Sequence, residues 1–202
     1  MRPKLIHHRY VVFVTLLAAS LAFPQLSQAA SGPADFIRTV GQNAINSLTA
    51  KEVTQDQREE RFRKILNAKF EVKLIARFTL GRFWRRINEM QQKEYTGLFE
   101  DFIVKAYAAR FADYQDVNFV VGKIRNINQR DNLVQSEMVL IDGRKIPVHW
   151  RVRNGKKFKI VDVLVEGVSM AITQRDEFSS IINQNGGKID GLLAALRKKT
   201  GK

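Results

Sequence analysis

No cysteine occurs anywhere in the 202 residues, and histidine is nearly as scarce, with His7, His8 and His149 the only examples. A fold without cysteine is held by its core and not by disulfides, which excludes a small cross-linked secreted scaffold. A single histidine beyond the first ten residues excludes a zinc site of the usual ligand type, a Cys–His pair, and all but one Ser–His arrangement. Glycine-rich phosphate loops are missing, since Gly186-Gly187 lacks the surrounding motif. Long apolar runs are missing too: Tyr10 to Phe23 is only 14 residues, short of the ~20 that a bilayer-spanning helix needs.

Negative charge is the remaining shortage. Lys+Arg total 34 against Asp+Glu 20, a formal +14. Part of the surplus lies in residues 1–29, where Arg2, Lys4 and Arg9 precede the apolar run and Ser27-Gln28-Ala29 forms a small-residue cleavage pattern. This predicts a cleaved secretory signal peptide, with a retained anchor as the alternative. Its removal would lower the charge from +14 to +11. Because no cysteine follows the run, a lipid-modified amino terminus is excluded. Export of a cysteine-free chain fits the bacterial periplasm, and residues 30–202 are read as one domain with a sizeable core.

Up to about residue 115 the apolar period is helical. Phe36, Ile37, Val40, Ala44, Ile45 and Leu48 share one side of a helix over 35–48, with Asp35 as its expected cap. Thr54 and Gln57 have capping-box spacing and open a charged helix to about Ala68. Phe62, Ile65 and Leu66 point inward there, and Arg58, Arg61, Arg63 and Lys64 into solvent. In 70–84, FEVKLIARFTLGRFW, Leu74 and Phe78 share one face, Val72 and Ile75 another, and Gly81 stops the helix. Asn88 and Gln91 start a long helix to about Phe111. Its stripe of Leu98, Phe99, Phe102, Ile103, Ala106, Tyr107 and Phe111 is broader than one contact surface needs.

From Asp116 the period shortens to two. Residues 117–124, 133–141, 145–153 and 158–165 read as four antiparallel strands, the last three joined by Asp142-Gly143 and Asn154-Gly155. Ile146, Val148, Trp150 and Val152 alternate with Lys145, Pro147, His149, Arg151 and Arg153, so one face is apolar and the other basic. Pro147 assigns this strand to an edge or bulge, and the more apolar fourth strand becomes the expected central one. Ser169 caps a helix carrying Phe178 and Ile182, Asn185-Gly186-Gly187 ends it, and Leu192, Leu193 and Leu196 belong to a last short helix before a frayed basic tail at 197–202. The class is α+β: N-terminal helices, a four-stranded curved antiparallel sheet of NTF2-like character, and C-terminal helices.

Few residues are left for chemistry. His149 falls on the basic strand face with no nucleophile near it in sequence, so a packed or solvated histidine outweighs a catalytic base. Asp162 and Glu166 share a face near the sheet end; pairing with an arginine is the commoner fate of such carboxylates than a catalytic dyad. Arg82, Arg85 and Arg86 around Phe83 and Trp84 mix base and aromatic as nucleic-acid sites do. The cations are nonetheless spread along an exported chain, and no nucleic-acid partner is expected; anionic lipid or an acidic protein uses the charge better.

Ile75-Ala76-Arg77-Phe78-Thr79-Leu80-Gly81-Arg82-Phe83-Trp84-Arg85, followed by Tyr95 to Phe111, and Val161 to Met170 with Arg175 resemble the MlaC, or toluene-tolerance, family of periplasmic phospholipid-binding proteins. The resemblance spans nearly all of 35–198; Phe158 departs from it, where the family favours tryptophan. It implies a soluble, monomeric, non-enzymatic shuttle with phospholipid as cargo and no cofactor or metal. The implied partners are an inner-membrane MCE-domain protein with its ABC transporter and an outer-membrane lipoprotein/porin complex, and the role is maintenance of envelope lipid asymmetry. Other apolar cargo such as a hopanoid, or an NTF2-like enzyme using Asp162, are the alternatives.

The resemblance also implies an apolar pocket between sheet and helices. The residues expected to line it are Phe70, Ile75, Phe78, Leu80, Trp84, Phe99, Phe102, Tyr107, Val134, Met138, Val148, Trp150, Val163, Val168 and Met170. Arg151 is the candidate head-group or gate contact, against the alternative of a solvated strand arginine.

Overall fold

The computed structural model describes residues 32–202; the expected leader at 1–29 lies outside them. Helix α1 (Pro33–Leu48) starts on Pro33, whose fixed φ suits a first helical position. Its N-cap is Gly32 and not Asp35, because Asp35 sits one turn inside and pairs with Arg38. Helix α2 (Gln55–Lys69) opens on the Thr54–Gln57 capping box read from the sequence. Within it Arg58 departs from the solvent placement. Its guanidinium is buried, with Nε donating to the Leu48 carbonyl at 2.8 Å and Nη2 to the Val53 carbonyl at 3.0 Å. The last carbonyl of α1 has no partner within its own helix, and Arg58 supplies one.

Helix α3 (Val72–Leu80) stops at Gly81, whose φ of 57° and ψ of −130° suit a residue without Cβ. A 3₁₀ stretch, Gly81–Arg86, then carries Phe83 into the core. Helix α4 (Glu89–Ala108) opens on the second capping box, Asn88 with Gln91. Two helices follow the sheet, α5 (Met170–Gln184), capped by the Ser169 hydroxyl, and α6 (Ile189–Thr200). The end of the chain is docked and not frayed: Thr200 is buried, Arg197 pairs with Glu94, and Lys202 pairs with Asp101 on α4.

The sheet is an antiparallel meander of β1 (Asn118–Asn126), β2 (Asp131–Val139), β3 (Lys145–Arg153), β4 (Lys159–Val165) and β5 (Val168–Ser169), ordered as in the chain. It has five strands, one more than expected. Glu166 and Gly167 both take positive φ, at 51° and 84°, and this tight turn folds Val168 and Ser169 back onto Val165 and Leu164. The central strand is β3, and the expectation that Pro147 marks an edge fails. Pro147 lies where β4 turns away, so its missing N–H falls outside most of the ladder, while its carbonyl still accepts from Glu166 at 2.9 Å. Beyond β3, β4 pairs with the short β5 and takes one bridge from the α2–α3 junction, Glu71 N–H to the Ile160 carbonyl at 2.9 Å.

Apolar side chains form two clusters. In the first, Leu66, Leu80, Tyr95, Phe99, Phe178, Ile182 and Leu192 join α2 to α6; the buried Tyr95 hydroxyl is satisfied by Thr79 at 2.8 Å. In the second, Ile37 and Val40 of α1 lie on Val134, Val152 and Ile160 of the sheet. Close approach there depends on Gly41, where a Cβ would sit 2.3 Å from the Phe119 ring.

Candidate functional site

Strand alternation puts Phe119, Val134, Trp150, Val152 and Val163 on the sheet face that α1 partly covers. Register extends this face beyond α1: Val148 lies opposite Val165, Trp150 opposite Val134 and Val163, and Met138 opposite Ile146 and Phe119. Val148 is buried and Met138 half-buried, yet neither belongs to either apolar cluster. The one indole donor on this patch is satisfied internally, Trp150 Nε1 donating to Ser136 Oγ at 2.9 Å and that hydroxyl donating to the Val148 carbonyl. What remains is an apolar surface with no unmet hydrogen bond.

On the helical side, Phe102, Tyr107 and Phe111 are half-buried at the margin of the first cluster. Tyr107 Oη lies 4.0 Å from Met170 Sδ, which brings the end of α4 beside the β4–β5 corner. Burial pushes the Tyr107 phenol pKa upward, so the group is neutral across the physiological range. Ile65 and Phe70 are the residues that pack against both clusters. The interior is therefore two apolar bodies meeting along a seam.

The residues expected to line a pocket divide accordingly. Leu80 and Phe99 are buried inside the helical cluster, with Phe70, Ile75, Trp84, Phe102 and Tyr107 half-buried against it. Val134 is buried in the sheet cluster beside half-buried Trp150 and Val163. Val148, Met138 and Met170 belong to neither cluster. Phe78 and Val168 are displaced from the expectation: both are exposed, Phe78 because it follows Leu74 by one turn on the outer side of α3, and Val168 because it occupies a two-residue edge strand. Two surface concavities, about 370 Å³ around Glu71 and the β3–β4 hairpin residues Lys156 and Lys157, and about 440 Å³ around Met90 and Gly97, include none of the residues expected to line the pocket.

Arg151 belongs to the other side of the sheet. Its Nε and Nη2 donate to Asp131 Oδ2 at 2.9 and 2.8 Å, while Arg153 Nε donates to Oδ1 at 2.8 Å. Asp131 is 1% exposed. The hydrogen bond from Arg153, aided by that from Arg151, holds its carboxyl below the usual range against the opposing effect of burial. Arg151 is thus an ion-pair partner of Asp131 on the face away from the apolar patch.

Asp131→Ala is expected to cost about 2 kcal/mol, less than a fully buried pair because both arginines keep a third of their surface in water. A depressed carboxyl pKa contributes stability that is complete above the unfolded value of about 3.9 and is lost as pH falls through the folded value. Urea unfolding of wild type and variant should therefore differ at pH 7 and converge toward about pH 2. An equal gap at both pH values would reject the assignment.

Asp162 has no ion-pair partner among the described residues. It accepts from Ser169 Oγ at 2.6 Å, from the Ala171 N–H at 3.1 Å and from its own neighbour Val163 at 2.9 Å, anchoring the start of α5. Glu166 is exposed in its positive-φ turn, and His149 lies half-buried opposite Leu164. No group of three or more His, Cys, Asp or Glu able to hold a metal occurs among the described residues.

The sequence model of the family described as MlaC protein matches residues 38–198. A toluene tolerance protein of Pseudomonas putida, ttg2D, is 21% identical over 181 residues, covering 87% of this chain and 84% of that protein. A phospholipid-binding protein from Ralstonia solanacearum, solved in complex with a phospholipid, superposes with a TM-score of 0.74 at 17% identity, covering 82% of this chain and 95% of that one.

Proposed function

The chain belongs to the MlaC family, and we propose that it is a periplasmic phospholipid carrier of one domain, residues 30–202, made with a cleaved leader. Acyl chains are held in the seam between the sheet face of Met138, Val148, Trp150 and Val163 and the helical margin of Phe102, Tyr107 and Met170. The head group stays near solvent.

The observation that supports this reading best is the division of the interior. Two apolar bodies share Ile65 and Phe70, and no buried side-chain polar atom among the described residues lacks a partner. Burial of lipid there contributes about 0.8 kcal/mol per CH₂. The Ralstonia solanacearum protein of the same fold was solved with a phospholipid bound. An enzyme of the NTF2 type is disfavoured because Asp162, the acid it would use, lies opposite Arg151 on the other face of the sheet and is engaged in holding α5.

As an Mla-type carrier it exchanges lipid with an inner-membrane MCE-domain protein and its ABC transporter and with an outer-membrane lipoprotein complex. Protein expressed with its leader and extracted into organic solvent is expected to yield stoichiometric phospholipid by mass spectrometry. A clean extract, together with no uptake from phospholipid vesicles, would sink the carrier reading.

A further inference from the structure

One outer face carries exposed apolar side chains. Leu74 and Phe78 on α3 are 37% and 40% exposed, and Val168 and Ile172, at β5 and the first turn of α5, are 54% and 53% exposed. The two helices pack together, and Arg175, one turn beyond Ile172, places its guanidinium 5.2 Å from the Phe78 ring. These apolar side chains therefore adjoin on one surface. Exposed apolar groups gathered on adjoining elements mark a contact surface.

The charge around them is one-sided. From Val72 to Ile87 the chain carries Lys73, Arg77, Arg82, Arg85 and Arg86 and no carboxylate. These five and Arg175 are exposed, and none has a salt-bridge partner among the described residues. Arg63, Arg151, Arg153 and Arg197 elsewhere are each matched to an acid. Glu166, Asp176 and Glu177 are the exposed acids on the α5 side, and Glu177 already pairs with Lys199, which leaves too few to neutralise six cations.

We propose that this face docks on the anionic head-group surface of a bilayer, with Leu74, Phe78, Val168 and Ile172 settling at the interface and the cations meeting acidic phospholipids. An exposed helix face with Leu74 and Phe78 beside Lys and Arg matches a charged interface. A protein partner favours aromatic anchors seated in pockets and satisfied charge pairs, which a face of unpaired cations does not pre-arrange. The inference stands on this surface alone and is independent of the lipid seam.

Vesicle sedimentation tests it. The protein is expected to bind vesicles of phosphatidylglycerol mixed with phosphatidylcholine, to ignore vesicles of phosphatidylcholine alone, and to be released by high salt. Each cation near the surface strengthens partitioning about fivefold, so Arg77→Glu with Arg175→Glu should weaken binding by more than about tenfold. Leu74→Ser with Phe78→Ser should weaken binding even at low salt, while Lys123→Glu with Arg125→Glu on β1, at the sheet edge opposite β4 and β5, should change it little. Circular dichroism confirms folding, and extraction of the same variants separates loss of docking from loss of carried lipid. Equal weakening by the β1 variant, no binding by wild type, or capture of an acidic protein through these residues with vesicles ignored overturns the proposal.

Discussion

Phe178→Ala is expected to remove about 4 kcal/mol of folding stability, at the upper part of the range for large aromatic truncations. Phe178 is 1% exposed and is the residue on which three α4 rings converge: Tyr95 at 6.1 Å, Phe99 at 6.3 Å and Phe102 at 5.9 Å between centroids. The first two contacts are edge-on, the arrangement aromatic quadrupoles favour. Truncation removes the buried ring and leaves a cavity whose walls come from two different helices. Those walls cannot collapse, because Tyr95 is fixed by its hydrogen bond to Thr79 and α6 lies packed behind α4. Urea unfolding checks the value. A loss under about 1.5 kcal/mol would mean that the site closes and that the helical half is softer than its packing implies. Phe178→Leu, which keeps most of the volume, should cost clearly less.

Legibility in the sequence followed the range of the interactions. The capping boxes at Thr54 and Asn88 and the stop at Gly81 were readable because both partners, or the glycine itself, lie within one helical turn. Strand alternation likewise assigned Val148, Trp150 and Val152 to one face and Arg151 and Arg153 to the other. Arg58 was not readable as a buried residue, since its acceptor at Leu48 lies ten residues back on another helix. The Pro147 rule failed because it concerns a missing donor, and at this position β4 has already turned away. The partners of Arg151 and Asp162 were not readable. Each was expected near ligand or near an arginine, but their partners, Asp131 and the Ser169–Ala171 turn, are set by register and by a turn whose positive φ at Glu166 no pattern announces. Phe78 and Val168 were assigned inward on apolarity alone, and apolarity does not say which side of an element faces the core.

Val148→Trp is expected to lower affinity for a diacyl phospholipid about 100-fold while leaving the fold intact. Val148 is 6% exposed, faces the same side as Trp150 and Val134, and belongs to neither apolar cluster. An indole in place of the isopropyl group occupies the volume of three to four methylenes of an acyl chain, which at about 0.8 kcal/mol each amounts to about 3 kcal/mol of lost lipid burial. The two possible natures of the seam then separate. If it opens for lipid, the larger side chain fills space that cargo would otherwise take, so stability of the lipid-free protein changes by less than about 1 kcal/mol and lipid no longer copurifies. If it is ordinary close-packed core, overpacking costs about 1–3 kcal/mol, and lipid content is the same for wild type and variant. Met138→Trp, opposite Ile146 and Phe119 on the same face, should repeat the first pattern at a less buried position, where strain is smaller. Extraction with mass spectrometry reads the lipid, and urea unfolding of delipidated protein reads the strain. Wild-type lipid content in both variants, with a loss of stability in each, would identify the seam as core and remove the binding site from between sheet and helices.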